Sequence, residues 1–251
     1  MSSTPRNRWQ PPPNCSLTKE QLPTMYDLPS EDPEEPGLPD EFHYYQPQLL
    51  RETFCPPNYS PEQVFIATDL NLYYDSEHTA WYKRPDWFAV LGISRFYEGH
   101  ELRYSYVVWQ EEMAPFIVIE FLSEGTEKED LGQTVRDSKQ PPTKWYVYEQ
   151  ILKIPYYIVF SREVNQLRVF HWQAGRYQVL SLTEEGKVWL FKLQLGLGLW
   201  YGVYQGLERQ WLRWYDAQHR WIPTPLEQLE QERQRAEHLA AQLRALGIEP
   251  Q

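Results

Sequence analysis

Asp86, Glu120 and Lys144 are the residues whose types and surroundings could together do chemistry. Asp86 follows Pro85 at the mouth of an apolar strand, Glu120 closes a second strand, and Lys144 opens a helix beyond them. Two carboxylates held on adjacent strands can coordinate a hard divalent cation, and a nearby ammonium can orient water and stabilise charge developing on a phosphate. That set suits hydrolysis of a phosphodiester bond. Glu120 carries most of the weight, because Phe116-Ile-Val-Ile119 reads as a strand buried on both faces and the carboxylate interrupts it. A buried charge needs water, a cation or a hydrogen-bond partner. Other readings stand beside these roles. Asp86 could be a turn residue that opens its strand, Glu120 could pair with an arginine such as Arg84 or Arg95, and Lys128 or Lys139 could reach the site in place of Lys144.

The elements that position these residues follow from hydrophobic patterning. Residues 64–74, 86–93 and 104–109 read as strands leading to the one that ends at Glu120. Residues 124–142 are polar and glycine-bearing, as a loop or a frayed helix would be. Thr143 then offers an N-cap, Trp145, Val147, Tyr148, Ile151 and Leu152 give an apolar face, and Pro155 ends the helix. Strands are expected over 156–160, 167–172 and 176–182, with turns at Asn165-Gln166 and Ala174-Gly175. A helix between two apolar strands makes a βαβ unit. Residues 193–221, rich in Gly, Trp and Tyr, add further strand or hairpin material.

The ends differ from the body. Residues 1–60 hold twelve of the twenty-one prolines, and predict an extended arm that docks through Tyr44, Tyr45, Leu49 and Leu50. Glu41, on that arm, could supply an extra acid. Residues 61–224 form the body. Residues 225–251 predict an amphipathic helix with a partial heptad, which either packs on its own domain or forms a short coiled coil, with Arg233 at a core position. A homodimer through the sheet or this helix is the corresponding expectation. The net charge of −11 argues against coating nucleic acid by bulk electrostatics, although residues 61–224 carry 17 basic against 21 acidic groups and are only mildly acidic. Cys15 and Cys55 amount to neither a zinc site nor an expected disulfide. With no signal-peptide pattern and no apolar stretch of spanning length, a cytoplasmic protein that avoids membranes is expected.

The order Pro85-Asp86, then Ile119-Glu-Phe-Leu-Ser123, then Lys144 four residues before Tyr148, then Tyr156-Tyr-Ile-Val159 resembles the Uma family of restriction-endonuclease-like proteins, of the cyanobacterial type, within the PD-(D/E)XK nuclease superfamily. The likeness runs over residues 64–222, and the charged C-terminal helix is similar to tails in that family. It implies an α/β fold with a restriction-endonuclease-like mixed β-sheet flanked by helices. It also implies that Asp86 and Glu120 bind Mg2+, that the Phe121 carbonyl is a further ligand, that Lys144 is catalytic, and that DNA is the substrate. Leu122 stands where the superfamily usually has the lysine, and Lys144 takes its place from the helix, as is typical of the Uma family; the departures from the family pattern are Val159-Phe160-Ser161 in place of Val-Asp-Pro and Leu152-Lys153 in place of the preceding Gly-Val turn. A nuclease-fold protein with weak or no catalysis, acting as a protein-interaction module, is the competing function.

Overall fold

The computed structural model describes residues 40–122, 127–134, 136 and 140–246. In chain order these form α1 (Glu41–Thr53), β1 (Val64–Ala67), β2 (Leu72–Tyr73), β3 (Tyr82–Lys83), β4 (Trp87–Leu91), β5 (Tyr106–Val107), α2 (Val108–Glu111), β6 (Ile117–Phe121) and α3 (Glu127–Asp130). There follow α4 (Lys144–Tyr146), which runs into a π-turn (Val147–Ile151), then β7 (Tyr156–Ser161), β8 (Gln166–Gln173), β9 (Arg176–Leu180), β10 (Lys187–Leu190), β11 (Leu195–Tyr204), β12 (Leu207–Tyr215) and α5 (Pro225–Ala245). The main sheet has the order β1-β4-β6-β7-β8-β9. Its central pair, β6 and β7, is parallel and the flanking pairs are antiparallel. A parallel pair needs a crossover, and the α4 turn supplies it, as the βαβ reading requires.

Every residue of β4, β6 and β7 is buried, so both faces of this sheet are covered. Alternation sends Ile117, Ile119 and Phe121 to one face with Trp87, Ala89, Tyr156 and Ile158, where α1 and the sheet β10-β11-β12 cover them. Val118 goes to the other face with Phe88, Val90, Tyr157 and Val159, under Tyr148 and the small sheet β3-β2-β5. Glu120 shares the parity of Val118. Hairpin turns fall where expected after β7 and β8: Asn165 has φ of 50°, and Ala174 and Gly175 have 51° and 87°. Two consecutive left-handed residues match the twist of a tight hairpin.

Three expectations change. Residues 64–74 are not one strand, because the chain turns at Asp69 (φ 51°) and β2 joins a different sheet. Residues 104–109 keep only β5 as strand before the helical turn α2. The extended-arm reading of residues 1–60 fails over residues 41–53, which form α1 despite Pro47 within it. A proline inside a helix removes one hydrogen bond and costs ~3 kcal/mol. Burial of Phe42, Gln46, Leu49, Leu50 and Thr53 on one stripe offsets that cost. Of the four docking residues named, Leu49 and Leu50 are buried, whereas Tyr44 is exposed. The part of that reading before residue 40 lies outside the described residues.

Gln46 clasps the ends of the fold together. Its side chain donates to the Leu212 carbonyl and accepts from the Leu212 N–H, both at 2.8 Å, on the edge strand β12. At the C-terminus, Thr224 and Glu227 form a capping box and Arg213 pairs with Glu227, but no side chain of α5 is buried. The reading in which this helix packs its apolar stripe on its own domain is therefore not met. Among the described residues no helix is long and apolar enough to cross a membrane.

Replacing Gln46 by Leu leaves a buried donor and a buried acceptor without partners, and should cost about 2–4 kcal/mol in chemical denaturation. Removing residues 229–251, which keeps Glu227, should leave the calorimetric melting temperature within about 1–2 °C of wild type. A drop of many degrees would mean that α5 does pack on the body.

Candidate active site

Asp86 precedes the first residue of β4, and Trp87 is in register with Ile119, which brings Asp86 beside Glu120 on β6. Asp86 extends the ladder beyond the strand end with its side chain. Its Oδ2 accepts the Phe121 N–H at 2.6 Å, while its own N–H donates to Glu120 Oε2 at 3.3 Å. The Pro85-Asp86 step thus does two things, opening a strand and presenting a carboxylate.

Glu120 is fully buried. Tyr148 donates its hydroxyl to Oε1 at 2.9 Å and Lys144 donates its ammonium to Oε2 at 3.1 Å. Lys144 and Tyr148 are four residues apart at the start of the crossover turn, so they share a face and both reach the same carboxylate. Thr143 caps this turn by accepting the Tyr146 N–H at 3.2 Å, in agreement with the cap read from sequence. Glu129 of α3 adds a second cap, accepting the Lys144 N–H at 2.8 Å, and its carboxylate also lies 3.6 Å from Lys83 and 3.0 Å from Arg136.

A third acid completes the cluster. Asp130, 1% exposed, places Oδ1 2.8 Å from Lys144 Nζ, and its backbone carbonyl accepts the Tyr157 hydroxyl at 2.8 Å. Burial pushes the Glu120 carboxyl up to about 8; Lys144 pulls the other way, and Asp130 and Asp86 add to the rise. Asp86 is raised by burial too, against Lys144 and His43. Burial lowers Lys144, but the charges of Asp130, Glu120 and Asp86 outweigh it and hold the ammonium well above its ordinary value. Lys83, buried and poorly paired, is pushed down to about 8.

The three residues singled out from the sequence therefore converge. Arg84 is taken by Asp69 at 2.6 Å, so it is not the partner of Glu120. Lys128 lies exposed on α3, and Lys139 is outside the described residues. The Phe121 carbonyl faces His43 Nε2 of α1 at 3.3 Å, which occupies one of its two lone-pair directions. Glu41 is exposed at the start of α1, and it is His43, two residues on, that turns inward. Sequence reasoning missed His43 and Asp130 and took Tyr148 for a member of an apolar face. For Tyr148 the spacing of four from Lys144 was the available signal. Nothing in the polar stretch around Asp130 distinguished it from Glu127 or Glu129.

Asp86 and Glu120 are hard oxygen donors of the type that magnesium takes. Among the described residues no three His, Cys, Asp or Glu side chains are arranged about one metal position, because the Lys144 ammonium stands among the acids as their cation. Neither oxygen of Asp130 has a hydrogen-bond partner, Oδ1 meeting Lys144 only as an ion pair, so the cluster has acceptor capacity to spare. Asp86 and Glu120 are the two acids whose donor type suits a divalent cation, and in this structure the Lys144 ammonium is the cation beside Glu120.

A mixed sheet with a parallel central pair, a crossover turn and acids gathered at the ends of β4 and β6 is a restriction-endonuclease-like architecture. The family model Uma2, described as "Putative restriction endonuclease", matches residues 18–205, about three quarters of the chain, and the chain belongs to that family. Comparison with curated proteins gives no match.

The raised Glu120 pKa carries a signed consequence. A carboxyl whose native pKa lies above its ordinary 4.5 resists ionisation in the fold, so its contribution is full at low pH and is lost as pH rises toward about 8. Glu120→Gln keeps an acceptor for Tyr148 and removes that loss. The melting temperature of the variant should gain on wild type between about pH 5 and about pH 8.5. A deficit that is constant or widens with pH would show that the carboxylate stabilises the fold through its ion pair instead.

Proposed function

We propose that the protein is a metal-dependent endonuclease that hydrolyses DNA phosphodiester bonds at the Asp86, Glu120 and Lys144 cluster. The observation that supports this most is the convergence itself: the Lys144 ammonium and the Asp86 N–H both donate to Glu120 Oε2, and the Asp86 carboxylate accepts the Phe121 N–H at the same sheet end. A scaffold kept only for packing gains nothing from a fully buried Glu120. Membership of a family described as restriction endonucleases supports DNA as the substrate.

In this reading Asp86 and Glu120 would hold Mg2+, which when bound would supply positive charge near the scissile phosphate and a water of lowered pKa. Lys144 acts as a charged hydrogen-bond donor rather than a base, because its surroundings keep it protonated. Its role in this reading is to stabilise negative charge on the phosphate oxygens as water adds to phosphorus and the bond to the leaving oxygen breaks. Tyr148 holds Glu120 Oε1, which leaves Oε2 as the oxygen free to exchange its cation. Phe121, through its carbonyl, would be a further ligand on the lone pair that His43 does not face.

A second reading, a nuclease-fold protein that binds a protein partner without catalysis, is favoured by one feature. Leu226, Leu229, Leu239 and Leu246 all stay exposed along α5. Cleavage assays separate the two. Wild type should nick supercoiled DNA in Mg2+ and not in EDTA, while Asp86→Asn, Glu120→Gln and Lys144→Ala should each lower the rate by about 100-fold or more. Folded wild-type protein that leaves every DNA form intact across Mg2+ and Mn2+ would favour the interaction module.

A further inference from the structure

Asp130 is the one acid of the cluster that the proposed reaction does not use. Three observations make it more than a structural neighbour. It is 1% exposed, its backbone is fixed by the Tyr157 hydroxyl, and it lies nearer to Lys144 Nζ, at 2.8 Å, than Glu120 does at 3.1 Å. Neither of its oxygens has a hydrogen-bond partner, and the Lys144 contact to Oδ1 is an ion pair. A buried carboxylate in that state is costly unless a cation answers it, and Lys144 is the cation that does.

Lys144 and a divalent cation compete for the same atom, Glu120 Oε2. If Glu120 were the lysine's main carboxylate partner, metal binding would strand a half-buried ammonium. Asp130 removes that penalty, because the ammonium can give up its bond to Glu120 and keep the shorter contact.

We propose that Asp130 is a positioning residue that holds the Lys144 ammonium when Glu120 turns to a divalent cation, so that lysine and metal occupy the site together. This rests on the nuclease reading. Asp130 acts through Lys144 and not on the metal, which makes its effect conditional on the lysine. Its Oδ2, outside that ion pair, gives the ammonium a second acceptor to move onto as it leaves Glu120.

Calorimetric titration of the full-length protein with MgCl2 tests this in a double-mutant cycle of Asp130→Asn and Lys144→Met. Asp130→Asn alone should weaken Mg2+ binding by about tenfold or more, because the ammonium then closes on Glu120. In the Lys144→Met background the same change should alter it by less than about twofold. Thermal melts establish that each variant is folded. Should Asp130→Asn fail to fold, Asp130→Glu, which moves the carboxylate by one methylene, is taken through the same cycle with a smaller loss expected in the wild-type background and none without Lys144. An equal loss in both backgrounds, or no loss in either, overturns the positioning role while leaving the nuclease reading intact. A wild-type protein that takes up no Mg2+ at all overturns both.

Discussion

The structure depends on accommodating one carboxylate, that of Glu120, inside a sheet face that is otherwise apolar. Its neighbours on β6 are Val118 and Ile119 on the sequence side and Val159 across the parallel ladder, none of which can answer a charge. Tyr148, Lys144 and the Asp86 N–H do so, and each comes from a different stretch of chain or a different turn of the crossover. Once Lys144 is drawn in, it is itself a half-buried cation and needs Asp130. Asp130 in turn needs α3 held down, which the Tyr157 hydroxyl achieves. Each member of the cluster is thus required by the one before it.

Much of this could be read from the sequence, for identifiable reasons. The strands around Glu120, the Thr143 cap and the Ala174-Gly175 turn are specified locally, by apolar runs and by residues with fixed conformational preferences. The proximity of Asp86 to Glu120 followed from their places at strand ends, since antiparallel neighbours bring such ends together. What could not be read depends on distant partners. Helix α1 carries the composition of an extended segment, and only the apolar stripe it presents to Phe121, Phe160 and Trp211 makes it a helix. The separation of β1 from β2 turns on Asp69 in a left-handed conformation, which Arg84 holds by bonding both its carbonyl and its carboxylate. Asp130 has a role only because Lys144 points at it, and no local pattern encodes that.

The two faces of the main sheet serve different ends. On the face that bears Glu120, aromatic residues with polar tips prevail: Tyr148 and Tyr157 each bury a ring and spend the hydroxyl on the cluster or its support. On the opposite face Phe42, Phe54, Trp87, Trp211 and Trp214 pack ring against ring beneath α1 and β12. One side fixes the polar groups, and the other supplies the apolar burial that makes fixing them affordable in free energy.

The clasp between Gln46 and Leu212 joins residues 166 positions apart. Ribosomes add roughly 5–20 residues per second, so α1 emerges on the order of ten to thirty seconds before the strand that completes its cover. The Asp86 to Tyr157 segment, which holds the whole acidic cluster, is made within that interval. During synthesis the nascent chain therefore carries all of its candidate chemistry beside a helix whose Phe42, Leu49 and Leu50 still lack part of their burial, and any chaperone that attends this protein meets it in that half-roofed state.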